Sequence, residues 1–251
     1  MTEHDIATDT HDESYFASFT DLLVGILFIF IIMLMLFASN MRNTEQTARD
    51  VTEQVTAMIE SRNIVLQEIK KSLKELGIEV EVDEEQGILR LPDKILFDRG
   101  KYELSADGNE ALIKLAGVLR TYLPCLARVK NDTLKEACAR LSLKSQEALE
   151  TVLIEGHTDL TGAEIGFDNW TLSANRAINV FRGLTAAQPV LDDDILNMQN
   201  VPVLAVSGYE ARRPIVKKND AAQNRRIDLR FIMRSPTPED VERIKRAVAE
   251  H

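Results

Sequence analysis

The chain has no lysine or arginine before Arg42. A cleaved signal peptide opens on a positive region and ends at a small-residue cleavage site, so the absence argues against one. Dense Lys/Arg blocks are missing throughout, and 30 basic against 40 acidic residues leave a net charge of -10. Phosphate binding needs a basic face, so nucleic acid leaves the list of partners. Only two cysteines occur, Cys125 and Cys138, with no His or Cys neighbours at metal-ligand spacing, and no metal site or cofactor is expected. They form a disulfide outside the cytoplasm or stay as two buried thiols inside it. His157 has no Ser or Cys nucleophile, metal set or acid pair patterned with it, which argues against an enzyme. Neither Pro nor Gly interrupts the stretch from Asn40 to Leu76.

What the chain does have is one long apolar run, YFASFTDLLVGILFIFIIMLMLFA, from Tyr15 to Ala38. At about 1.5 Å per residue such a run crosses a hydrocarbon core of roughly 30 Å, so residues 15–38 are expected to be a transmembrane helix behind a short tail, 1–14. Asp21 interrupts it. A carboxylate inside a span is normally kept where it faces a partner or a wet pathway, which makes Asp21 a candidate functional residue; the plainer alternative is a capping acid at headgroup level. Arg42 and Arg49 flank the run on its C-terminal side, and counting them places the C-terminus inside.

Residues 39–76 read as a helical linker. Val51, Val55, Met58, Val65, Ile69 and Leu76 make a narrow apolar seam, suited to a stalk that pairs with a second helix rather than to a core helix. The folded domain is expected over 77–235, with a polar helical tail over 236–251. IEVEV and GILRL around DEEQ predict a hairpin, and a short strand then leads to a helix capped by Ser105. Pro124 to Gln146 reads as an irregular excursion with a short helix. ALETVLIEGHTD, VPVLAVSGYE and NRRIDLRFIMR read as strands and WTLSANRAINVFRGLTAAQ as an amphipathic helix. The fold class is α+β, a βαβαββ sandwich with helices on one side of a small sheet.

GHTDLTG at Gly156–Gly162, NWTLSANRA at Asn169–Ala177, the run Asn224, Arg225, Arg226, and FD at Phe97 and Asp98 together resemble the OmpA-like peptidoglycan-binding domain over Gly87 to Phe231. The spacer between Asp159 and Asn169 is about two residues longer than that pattern, and the excursion is enlarged. The resemblance implies a diaminopimelate-containing stem peptide as ligand. Asp159 would receive its ammonium and Arg176 its carboxylate, with Asn169, Arg225 and Asp98 in support. Alternatively Asp159 caps the turn after its strand, Asn169 caps the helix and Arg225 is a surface charge. A wall-binding domain faces the periplasm, which reverses the orientation drawn from the arginines and favours a Cys125–Cys138 disulfide.

A single span with an aspartate, a helical connector and an OmpA-like domain resemble the MotB-type stator B subunits. Phe19 stands where that family has a Tyr, and the span lacks its Met-rich character. The resemblance implies an inner-membrane homodimer inside a ring of multi-span MotA/ZorA-like subunits, with Asp21 carrying a proton or sodium ion. Residues 41–60 would be an amphipathic plug. The acidic start TEHDIATDTHDES departs from the basic tail of flagellar subunits, and because the layout as a whole also resembles ZorB of the Zorya antiphage systems, that branch is preferred to the flagellar alternative.

Overall fold

The computed structural model describes residues 9–160, 168–216 and 222–237, with side chains from residue 18 onward. The elements are α1 (Asp9–Glu75), β1 (Glu81–Asp83), β2 (Ile88–Pro92), α2 (Ala106–Tyr122), β3 (Arg128–Val129), β4 (Leu149–His157), α3 (Asn169–Ala187), α4 (Val190–Asp193), β5 (Ile195–Leu196), β6 (Leu204–Gly208) and β7 (Arg226–Met233). Two units divide the chain, one of residues 1–52 and 238–251, the other Glu53–Thr237.

In the first unit the described residues are helical, and residues 9–14, expected as a tail, already belong to α1. From Phe19 to Phe37 its large apolar side chains are exposed, Leu22, Ile29, Met33 and Met35 among them. A helix apolar on every side is what a bilayer span presents to lipid, and α1 is long and apolar enough to cross a membrane. Asp21 is exposed on this stretch. Past it the polar groups satisfy themselves locally: Thr44, Thr47 and Thr52 donate to carbonyls four residues back, and Arg49 pairs with Glu45 at 2.6 Å.

The second unit begins at Glu53, well before the expected start at 77, and takes in the base of α1. The expectation of a free stalk is corrected here. Met58 is buried, and Val65, Leu66, Ile69 and Leu73 lie in the domain core. Arg62 interrupts the apolar seam, yet it and Ser61 are both buried against polar partners. The Ser61 hydroxyl accepts from the Lys144 and Ser145 amides at 3.0 and 2.9 Å, and Arg62 donates to the Glu84 carbonyl at 2.5 Å. The helix stops at Gly77, whose φ of +80° costs little without a side chain. Its amide reaches Lys74 O at 3.0 Å and that of Ile78 reaches Leu73 O at 2.9 Å, a Schellman closure.

Five strands form the main sheet in the order β1-β2-β7-β4-β6, antiparallel except for the parallel pair β4–β6, whose crossover is α3. The hairpin β1–β2 is as expected. The strand expected after it is instead a 3-10 turn, Asp93–Ile95, plus a lone bridge between Phe97 and Leu104. Pro92 introduces the turn, and the Asp93 carbonyl accepts from both Leu96 and Phe97. Ser105 caps α2 by accepting from the Gly108 amide at 3.0 Å. Ala111, Leu112, Leu115, Ala116, Val118 and Leu119 are its buried face, as the spacing predicts. Within the excursion Cys125 and Cys138 are joined in a disulfide, and β3 pairs with β5 as a separate ribbon. The α+β class holds. Ile227, Leu229 and Phe231 of β7 and Val152 and Ile154 of β4 belong to the core. α3 lies close on β4, because a Cβ on Gly156 would stand 2.0 Å from the Ser173 carbonyl oxygen.

Candidate binding site

Strand alternation sends consecutive residues of β4 and β7 to opposite faces. The motif Asn224-Arg225-Arg226, which leads from a 3-10 turn into β7, divides into three tasks. Asn224 fixes the preceding loop, accepting from the Ile215 and Val216 amides at 2.8 and 3.1 Å and donating to Val216 O at 2.9 Å. Arg225 turns to Asp159, while Arg226 turns to Asp228 at 2.9 Å.

The first ionic set forms where the end of β4, the start of β7, the N-terminal half of α3 and the Asp93 turn meet. Arg176 is buried to 1% exposure, although it is a charged residue two turns into α3. Its Nε donates to Lys101 O at 2.9 Å, its Nη1 stands 3.1 Å from Asp93 Oδ2, and its plane lies 5.1 Å from the Phe97 ring centroid. Arg225 pairs with the Asp159 carboxylate through Nη1 and approaches Asp93 Oδ2 through Nε at 3.6 Å. The Asn169 amide donates to the Asp159 carbonyl at 3.1 Å. Asn169 does not cap α3; Asp168 does, accepting from the Thr171 amide at 2.6 Å. Arg225 is no free surface charge.

The set is incomplete as it stands. Among the described residues, Arg176 Nη2 and Asn169 Oδ1 are buried without hydrogen-bond partners. A buried donor or acceptor left unpaired is costly, and here one of each belongs to residues of the same ionic set. Burial lowers the affinity of Arg176 for its proton, against the raising influence of Asp93. Burial likewise raises the Asp93 carboxyl above its usual range, outweighing the two guanidiniums beside it. Both charges are therefore short of solvation, the condition in which an incoming ion of opposite sign is held most firmly.

Four of the five anticipated binding residues come together: Asp159, Asn169, Arg176 and Arg225. Asp98 does not. Its carboxylate is 67% exposed and pairs with Lys101 at 3.7 Å. The acid that does enter is Asp93, which sequence reasoning passed over because LPDK read as the start of a strand. The longer spacer between Asp159 and Asn169 lies in residues 161–167, outside the described residues. Trp170 follows Asn169, half-exposed at 48%, with the Arg212 guanidinium 5.1 Å from its ring centroid.

The second ionic set lies on the other face of the sheet. Arg230 grips Glu155 with two bonds of 2.6 and 2.8 Å, and Arg90 and Arg226 reach Asp228 at 3.3 and 2.9 Å. His157 lies between these acids, 3.6 Å from Glu155 Oε2 and 3.5 Å from Asp228 Oδ2, and stacks on Tyr209 at 5.3 Å. Burial presses Glu155 upward, but the two hydrogen bonds from Arg230 and the His157 ring 3.6 Å away bring its carboxyl down to about 2. Burial lowers His157 below its usual range. Glu155, His157 and Asp228 have atoms close enough to share a metal ion, yet three guanidiniums already neutralise the two acids, and a divalent cation would have to displace them. This is a structural ion network around His157.

Residues 126–228, which include β4, α3 and the Asp159, Asn169, Arg176 and Arg225 set, match the sequence model of the OmpA family. Among solved structures, a MotB-like protein from Desulfovibrio vulgaris aligns at 23% identity over 70% of this chain and 97% of its own, with a TM-score of 0.47. The periplasmic domain of Helicobacter pylori MotB aligns at 20% identity over 65% of this chain and 84% of its own, TM-score 0.40. The cell wall anchor of the T6SS from Pseudomonas aeruginosa aligns at 18% identity over 68% and 97%, TM-score 0.43. No curated protein matches the chain.

Proposed function

We propose that the chain is a peptidoglycan-anchored B subunit of an ion-driven inner-membrane motor of the MotB type. The observation that carries the anchoring half is the buried, half-satisfied guanidinium of Arg176 beside Asp93 and the Asp159–Arg225 pair. A diaminopimelate end group of a wall peptide offers a carboxylate to Arg176 and an ammonium to Asp159 and the Asn169 oxygen. The guanidinium presents paired N–H groups in a plane, which a lysine cannot. Arg176→Ala and Arg176→Lys are both expected to reduce co-sedimentation of the protein with purified peptidoglycan at least tenfold. Full retention by Arg176→Lys would mean that charge alone is read and that the paired geometry is not used.

The motor half rests on Asp21, an acid carried by an apolar span. In this reading the N-terminus is cytoplasmic and the domain periplasmic, where the Cys125–Cys138 disulfide is at home. Two copies sit inside a ring of multi-span A subunits, and Asp21 accepts and releases a proton or sodium ion. Asp21→Asn is expected to abolish ion flux through the assembled unit while insertion and wall binding continue. Normal function in that variant would leave only a passive tether between membrane and wall. The acidic N-terminal sequence favours the Zorya defence branch over a flagellar one. A neighbouring gene for a multi-span subunit, with helicase or nuclease genes beside it, is the observation that separates the two.

A further inference from the structure

The four residues that the family resemblance gathers at this site do not balance. Arg176 and Arg225 bring two positive charges, Asp159 one negative, and Asn169 none. A buried site with one surplus guanidinium and an unpaired Arg176 N–H is suited to any carboxylate. Asp93 changes that sum. Its Oδ2 stands 3.1 Å from Arg176 Nη1 and 3.6 Å from Arg225 Nε, and the residue is buried at 6% exposure. The position is fixed from both sides of the chain. The Asp93 amide donates to the Arg225 carbonyl at 3.2 Å, and the Asp93 carbonyl holds the turn into Phe97. The nearest exposed pair, Asp98 with Lys101, cancels itself.

We propose that Asp93 is the specificity-determining residue of this site: by neutralising the second guanidinium it makes the cleft take an amino-acid zwitterion and turn away a plain carboxylate. Two guanidiniums and two carboxylates sum to zero among the described residues, so only a ligand that is itself neutral overall leaves no net buried charge. Two of the groups without hydrogen-bond partners have the matching polarity, Arg176 Nη2 as donor and Asn169 Oδ1 as acceptor. A plain carboxylate would pair with the donor, leave the acceptor unsatisfied and add a negative charge next to Asp93 and Asp159. Rejection thus arises from unpaired and like-charged groups rather than from lack of space.

The inference rests on the reading of this cleft as a diaminopimelate site, and calorimetric titration of the full-length protein in detergent micelles separates the two. The probes are meso-diaminopimelate and pimelate, which has the same carbon chain and carboxylates without the amines. The wild type is expected to bind meso-diaminopimelate at least tenfold more tightly than pimelate. In Asp93→Asn that ratio should fall tenfold or more, with pimelate binding gained. Arg225→Gln should shift preference the opposite way, towards the diamine cadaverine, and the double variant should regain preference for the zwitterion. A wild-type ratio in Asp93→Asn with native thermal unfolding overturns the assignment. Should Asp93→Asn fail to fold, Arg225→Gln decides, and an unmoved preference in it overturns the assignment equally. A wild type that binds neither probe overturns the diaminopimelate reading, and the role of Asp93 falls with it.

Discussion

At the scale of single residues, neighbouring positions divide between binding and stability. Arg225 and Arg226 adjoin in sequence, but Arg225, just before β7, pairs with Asp159 while Arg226, the first residue of β7, pairs with Asp228. His157 and Asp159 are likewise two residues apart with unrelated partners. The pH dependence of stability should follow from the His157 side. Its folded pKa lies below the ordinary 6.5, so the unfolded chain takes up the proton first as pH falls. This contribution is intact above pH 6.5 and is lost progressively below it. Glu155 adds a second loss as pH falls from 4.5 towards about 2, because its folded carboxylate is held by Arg230 and His157. Denaturant midpoints measured across pH should therefore drop in two stages, with Asp228, Arg226 and Arg90 as the other charges facing the ring. His157→Gln should flatten the upper stage and weaken the lower one, which Arg230 alone would then sustain.

At the scale of elements, the base of α1 is where sequence and structure part. Its apolar positions were legible, but their destination was not, because a narrow seam serves a partner helix or a core equally well. The choice is made by Ser61 and Arg62, whose partners Lys144, Ser145 and Glu84 lie far along the chain. No local pattern announces such contacts. Ile69→Ala separates the two arrangements. Truncating a fully buried core side chain typically costs about 2–5 kcal/mol, so the denaturant midpoint should fall substantially, whereas a free stalk would leave the domain's stability unmoved. By contrast, β4, α3 and β7 could be placed from sequence because each signals itself locally. Alternating faces mark β7 and an apolar centre marks β4. Leu172, Ala177, Val180 and Leu184 supply the buried face of α3, and Ser105 capped α2 where a cap was expected.

At the scale of the whole molecule, the candidate site was legible to the extent that it is built from motifs. GHTD, the Asn–Arg pair of α3 and the Asn-Arg-Arg run named four residues that the fold does bring together. Asp93 escaped because its meaning is collective: it matters only once two arginines from distant segments have converged on it. Asp98, chosen for its place in a pattern, points to solvent and to Lys101. The helix across the membrane was the easiest element to read and the domain's charge balance the hardest, since the first depends on composition and the second on geometry.

Trp170 adds a practical consequence. It is the single tryptophan of 251 residues, so red-edge excited emission from the entire chain originates in one indole. That indole follows Asn169 directly and lies under the Arg212 guanidinium. Occupation of the neighbouring site by meso-diaminopimelate should shift the emission maximum or its intensity in a saturable way, with no effect in Arg176→Ala. The protein thus supplies an intrinsic optical probe of its own occupancy, usable in micelles, in vesicles or on wall fragments without attaching a dye.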